Sequence, residues 1–131
     1  MDNSKLSISL VIPAFNEAEY ISECLSHVEK TCGHELKEII VVDNASTDDT
    51  ALIASKFSNI KVVREEKKGT GPARQHGLAT ATGDLVAFID ADTRMDTEWI
   101  KSVKARFEKN SNIVCLSGPY KYYDISWFKN F

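Results

Sequence analysis

The sequence predicts an α/β fold, a mostly parallel sheet flanked by helices. Short apolar runs recur along the 131 residues as ISLVI (8–12), EIIVV (38–42), IKVV (60–63), LVAFI (85–89) and IVCL (113–116). Continuous apolar runs of this length suit strands covered on both faces. Segments with helical spacing lie between most of them, and strand alternating with helix implies parallel pairing with helices on the sheet faces. Polar and charged residues gather directly after the runs, as PAFNE, DNAS, REEKKGTG and DADT. An open parallel sheet places its ligand outside the carboxyl ends of its strands, so these groups are predicted to converge on one rim.

Each helix has its own warrant. Asn16 reads as the N-cap of the first, with Glu17 and Glu19 in its first turn and Ile21, Leu25 and Val28 on one buried face. The second is predicted to open at Ser46 or Thr47, with Asp48 and Asp49 next and Leu52, Ile53 and Phe57 as its buried stripe. Pro72 marks the first turn of a third helix, where proline is tolerated, running through Ala73, Leu78 and Ala81. A fourth is predicted from Thr97 to Lys109, with Trp99, Ile100, Val103 and Phe107 on its apolar side.

Composition narrows the class. A chain with 43% hydrophobic residues can bury the core of one domain, which excludes a disordered chain and a disulfide-stapled miniprotein. The net charge is −3 and the densest basic patch, Lys67–Lys68, follows two glutamates, so no nucleic-acid partner is expected. Cys24, Cys32 and Cys115 lack zinc-site spacing and read as reduced core or half-buried thiols. His27, His34 and His76 have no second ligand at metal spacing and read as exposed or half-buried side chains. No stretch approaches the ~18 apolar residues of a membrane span, and the serine-interrupted N-terminus does not form a signal-peptide core. A cytoplasmic location is the expectation.

The stretch DLVAFIDADTRMD (84–96) carries chemistry: an apolar strand ends in Asp90 and Asp92. If extended geometry persists past the strand, alternate residues point the same way and both carboxylates face one volume. Hard cations such as Mg²⁺ take oxygen ligands and are commonly held by one or two carboxylates plus the phosphates of a substrate. A DxD triplet alone is a common pattern. Its company at the other strand ends gives it weight. GTGPAR, in contrast, lacks the third glycine of a dinucleotide fingerprint, where Arg74 stands, and follows a charged loop. Gly69 and Gly71 are therefore read as a flexible loop over the ligand.

SLVIPAFNEAEYISECL, EIIVVDNASTDDT and KGTGPARQHGLATATGDLVAFIDADT together resemble the nucleotide-sugar-binding half of the family 2 glycosyltransferases, which carry the GT-A (Rossmann-like) fold. The resemblance covers about residues 7 to 118, with the motifs in family order. It implies that Phe15 lies against the nucleobase, with Pro13 and Ala14 offering backbone contacts nearby and Glu17 beside the nucleotide. Asp43 matches the carboxylate that accepts a hydrogen bond from the base, as a uracil NH would supply. Arg74 is similar to an arginine near base and diphosphate, Asp90 corresponds to the acidic residue close to the ribose, and Asp92 to the residue that binds Mg²⁺ or Mn²⁺. The implied reaction moves a sugar from a nucleoside diphosphate donor, a UDP-sugar favoured, to an acceptor hydroxyl with inversion. A carboxylate base would take the hydroxyl proton while the metal stabilises the leaving diphosphate.

Residue chemistry agrees with this in outline. The Phe15 ring can stack on any base, a carboxylate such as Asp43 prefers an NH edge, and Arg74 offers a planar fork for phosphate or carbonyl oxygens. Lys68 reads either as a phosphate contact or as a solvated charge beside Glu65 and Glu66. The sequence departs from the family in stopping at Phe131, after the DxD half: the acidic motif that supplies the base lies further on in the family, and Asp124 is no candidate for it. Residues 1–118 are expected to form the nucleotide-sugar-binding domain. The stretch 119–131, with Tyr120, Tyr122, Tyr123, Trp127, Phe128 and Phe131, reads as an aromatic tail that either packs on the sheet or meets missing chain, a partner or a membrane surface. A homodimer that covers the sheet edge is a further expectation. The second reading of the whole is a donor-binding module without turnover. A nucleotidyltransferase is disfavoured because PAFNE stands where a basic, glycine-rich phosphate loop belongs.

Overall fold

The computed structural model describes residues 6–95 and 98–117. Its strands are β1 (Ile8–Ala14), β2 (Glu38–Asp43), β3 (Ile60–Arg64) and β4 (Leu85–Phe88), and its helices α1 (Ile21–Thr31), α2 (Thr50–Ser55), α3 (Thr70–Thr80) and α4 (Trp99–Lys109). A short 3₁₀ turn at Gly33–Glu35 leads into β2. The sheet runs β3-β2-β1-β4 and every pairing is parallel. β1 sits inside it with both faces covered, which is why ISLVI carries no polar alternation beyond Ser9.

Topology sets the layers. The chain steps from β1 to β2 to β3 in one direction and then returns past β1 to β4. Right-handed crossovers therefore put the first two connecting helices on one face and the third on the other. The packing follows that rule. Leu10, Ile12 and Val41 meet Ile21, Leu25 and Val28 of α1 and Ala54 of α2, and Ile100 of α4 joins the same core. Val11, Ile40 and Val42 point the opposite way, onto Ala73 of α3.

The α3 face is thin, and a glycine makes it so. A Cβ at Gly77 would lie 2.3 Å from Val11 Cγ1 and 3.2 Å from Val42 Cγ2, closer than side-chain carbons can pack, so α3 reaches the sheet only because that position has no side chain.

At the other end of the strands a polar clamp holds the return connection. Ser9, wholly buried on β1, donates from Oγ to Glu38 Oε1 at 2.5 Å and accepts from Gly83 N at 2.8 Å. Glu38 Oε1 also accepts from Thr82 N at 2.6 Å and Thr82 Oγ1 at 2.8 Å. Partial burial pushes the Glu38 carboxyl up, but the Ser9 and Thr82 donors outweigh it and hold the group below the ordinary glutamate range.

Several expectations are corrected. The fifth apolar run does not form a strand: residues 113–117 are irregular and Val114 is 94% exposed. With no further strand outside β4 among the described residues, IVCL has no ladder to join. α1 starts at Ile21, not after Asn16, and Glu17 and Glu19 precede it. α2 starts at Thr50, so Asp48 and Asp49 lie ahead of it, and Leu52 is 60% exposed while Ile53 and Phe57 do pack on the core. Leu78 of α3 is 48% exposed, because the buried stripe there is Ala73 and Gly77. Gly71 lies inside α3, and Gly69, at φ 130°, is its N-cap. Cys24 and Cys32 are buried free thiols as expected, whereas Cys115 is exposed. The tail 119–131 lies outside the described residues, as does Asp124. Among the described residues no helix is long and apolar enough to cross a membrane.

Candidate functional site at the carboxyl rim

The rim is built by stitching loops together. After β1 the chain turns sharply at Asn16, whose φ of 51° is a left-handed conformation that asparagine tolerates better than most residues. This turn sends the Asn16 side chain across to the β2–α2 loop. Its Oδ1 accepts from Thr47 N at 2.8 Å, Thr47 Oγ1 at 3.3 Å and Asp48 N at 3.4 Å. The bonding is reciprocal: Asn16 N donates to Ser46 Oγ at 2.9 Å, Glu17 N to Thr50 Oγ1 at 2.9 Å and Ala18 N to Asp48 Oδ2 at 3.2 Å. Asn16 is thus a cap for the neighbouring loop, not for its own helix.

Parallel register carries the rim onward, setting Ala14 beside Asp43 and Asp43 beside Arg64. Asp43 is 1% exposed. Its Oδ2 accepts from Arg64 Nη1 at 2.6 Å and its Oδ1 from Ser46 N at 3.3 Å, so both oxygens are engaged within the protein. Arg64 also donates from Nε to Glu66 Oε1 at 2.6 Å. Sequence reasoning missed Arg64. The signal that could have found it is register, since a charge ending β3 must lie beside a buried carboxylate ending β2.

Asn44, the second residue of DNAS, is buried and fully used. Its Nδ2 donates to Glu65 O at 3.1 Å and Lys67 O at 2.8 Å, and its Oδ1 accepts from Gly69 N at 2.9 Å. Those bonds make residues 65–69 a fixed wall instead of the flexible loop the glycines suggested. On that wall Lys68 places its Nζ 5.6 Å from the centroid of the Phe15 ring, within cation–π range, while Phe15 itself stays 47% exposed. Arg74 makes the corresponding contact with Phe88 at 5.9 Å, so it stands over β4 and not over the Phe15 ring.

Beyond β4 the chain turns at once. Thr93 N donates to Asp90 O at 3.0 Å, and Ala91 is buried between the exposed Asp90 and Asp92. Both carboxylates are exposed, and a turn carries them where an extended run was expected. Glu17 shares their field. Its carboxyl is raised above the ordinary range, first by burial and then by the charges of Asp92, Asp48 and Asp90. The Cys24 thiol is pushed up to about 12 by burial, with Asp92 and Glu17 adding to it. The structure therefore gathers Glu17, Asp90 and Asp92 into one negative field, with the exposed ring of Phe15, the backbone of Pro13 and Ala14, and the Asp43–Arg64 pair along the same rim.

Among the described residues no group of three or more His, Cys, Asp or Glu side chains is set to hold a metal by itself. The donor set that is present, exposed aspartate oxygens in a negative field, fits Mg²⁺ or Mn²⁺ completed by phosphate and water, because these ions need few protein ligands.

The parallel sheet, with its strand order reversing between β1 and β4 and its acidic and aromatic residues on the carboxyl rim, matches the N-terminal half of a GT-A fold. The chain belongs to glycosyl transferase family 2, whose family model matches residues 9–130. It is 36% identical over 100 residues to glycosyltransferase AglE of Haloferax volcanii, covering 72% of this chain and 33% of that one. It is similar to the crystal structure of S. aureus TarS, with TM-score 0.70, 32% identity, and coverage of 79% of this chain and 33% of that one. It is also similar to glucosyl-3-phosphoglycerate synthase from Mycobacterium tuberculosis in complex with Mn²⁺, uridine diphosphate and phosphoglyceric acid, with TM-score 0.64, 31% identity, and coverage of 74% of this chain and 37% of that one. The chain therefore spans about a third of the length of these relatives.

Proposed function

We propose that this chain binds a nucleoside diphosphate sugar, a UDP-sugar by preference, and serves the donor side of a metal-assisted, inverting sugar transfer to an acceptor hydroxyl. The observation that carries the reading is the shared field of Glu17, Asp90 and Asp92 beside the exposed Phe15 ring, at the place where the strand order reverses. In this reading Phe15 stacks on the base, with Pro13 and Ala14 giving backbone contacts. Asp90 faces the ribose and Glu17 lines the nucleotide. Asp43 fixes the base edge together with Arg64, to which it is already bound. Arg74 can leave the Phe88 ring for an anionic oxygen, since an exposed cation–π contact is worth only about 0.5–1 kcal/mol. Asp92 holds Mg²⁺ or Mn²⁺, and the bound ion supplies charge neutralisation for the leaving diphosphate.

Donor binding and transfer are separate measurements, because transfer also needs an acceptor and a base. Binding comes first: calorimetric titration of UDP with and without Mn²⁺, repeated on Asp92→Ala. Heat that requires Mn²⁺ and weakens at least about tenfold in the variant is the expected result. A folded wild-type chain that gives no heat with UDP, GDP or TDP in the presence of metal would sink the reading.

A further inference from the structure

The wall formed by residues 65–69 has a role the acidic rim leaves open. A nucleoside diphosphate freed of its sugar carries more negative charge than one divalent cation cancels, and the rim already holds Glu17, Asp90 and Asp92, so a second positive group favours its binding. Arg64 is committed to Asp43 and Glu66, Arg94 pairs with Glu23, and Arg74 stands over Phe88. Lys68 differs from Arg64 and Arg94 and, like Arg74, rests on an aromatic ring that it can leave. Among the described residues it makes no ion pair, and its ammonium lies over the Phe15 ring. Its position is also built, not accidental. The buried amide of Asn44 grips the backbone on both sides of it, at Glu65 O, Lys67 O and Gly69 N. Glu65 N is held by Asp43 O at 2.9 Å, and His76 Nδ1 meets Glu65 Oε2 at 2.9 Å.

We propose that Lys68 is a further nucleotide-binding residue, which leaves the face of Phe15 when a base stacks there and binds the diphosphate, and that Asn44 is the positioning residue that presents it. The inference rests on the donor-binding reading above. An ammonium in contact with a ring gives up little when it moves, whereas a charge-assisted bond to a phosphate oxygen is strong. The ring thus stores the cation beside the place where it is used. Asn44 cannot be replaced by aspartate in this role, because a carboxylate cannot donate to the carbonyls of Glu65 and Lys67.

The test compares UDP, in the presence of Mg²⁺, with uridine, by chemical-shift titration of the wild-type chain, Lys68→Ala and Lys68→Arg. Lys68 is exposed, so neither variant threatens folding. Lys68→Ala is expected to weaken UDP by at least about tenfold and to leave uridine unchanged or tighter, while Lys68→Arg keeps most of the UDP affinity. Equal UDP affinity in Lys68→Ala and wild type, or equal losses for UDP and uridine, would overturn the assignment and leave the donor-binding reading standing. If wild type binds neither ligand, and GDP and TDP fail likewise, both fall together. For Asn44→Asp, the loss for UDP is expected to match that of Lys68→Ala and not to add to it in the double variant. Fully additive losses would remove Asn44 from the role, and so would an Asn44→Asp chain that binds UDP as wild type does.

Discussion

Gly77→Ala tests the packing that seats α3, and hence the entire wall before it. The added methyl would stand 2.3 Å from Val11 Cγ1 and 3.2 Å from Val42 Cγ2. Reaching an ordinary carbon separation of about 3.6 Å from Val11 requires a shift of about 1.3 Å. Val11 and Val42 cannot supply it, since both are wholly buried on interior strands and β-branched, with one favoured rotamer each. The helix must rise instead. Overpacking of this kind costs about 1–3 kcal/mol, and a contact this short belongs at the upper end. Alanine regains about 1 kcal/mol of helix propensity over glycine, so the net loss is about 2 kcal/mol, or about 8 °C in Tm for a chain of this size. Urea unfolding followed by tryptophan fluorescence, to which Trp99 on the core contributes, reads this directly. Gly71→Ala is the internal control. It lies in the same helix with nothing within 4 Å of an added Cβ, so it should be neutral or stabilising. A Gly77→Ala midpoint equal to or above wild type, with Gly71→Ala behaving as stated, would refute the described seating of α3.

Other predictions concern titration and reactivity. The Glu38 carboxyl is held below its ordinary range in the folded chain, so it contributes stability above its unfolded pKa of about 4.3 and loses it as pH falls through the lower folded value. Glu38→Gln should therefore flatten the acid limb of a stability-against-pH curve; an unchanged limb would show that the clamp with Ser9 and Thr82 does not act this way. Of the three cysteines, exposed Cys115 should react with a thiol reagent at neutral pH, while buried Cys24, pushed up to about 12, and buried Cys32 should react only on unfolding. More than one fast thiol in the folded chain would contradict the burial of α1.

Much of the fold was legible because β1 and β2 are covered on both faces, and such strands announce themselves as unbroken apolar runs. IVCL carries the same signal without forming a strand, because a run specifies burial only where a neighbouring strand exists to pair with it. Helix starts were the weaker inference. Asn16 looks like a cap by residue type, but its side chain bonds across to another loop, a choice made by tertiary contacts and invisible to local rules. The place of Asp90 and Asp92 on the rim was readable from their order along the chain, and Glu17 and Asp43 were readable through the family resemblance. Arg64 and Asn44 were not, since their roles arise from strand register and from burial, neither of which leaves a mark on one sequence.

The interlocking of the loops after β1 and β2 has a consequence for how the molecule responds to change. Asn16 belongs by sequence to one motif and by bonding to another, and the backbone of its own loop is tied in return to Ser46, Asp48 and Thr50. The two loops therefore form a single mechanical part, ordered when the chain folds and not when something arrives at the rim. An incoming molecule loses less entropy to loop ordering there. Substitutions within PAFNE and within DNASTDDT should also constrain one another, so that neither motif can drift far unless the other moves with it.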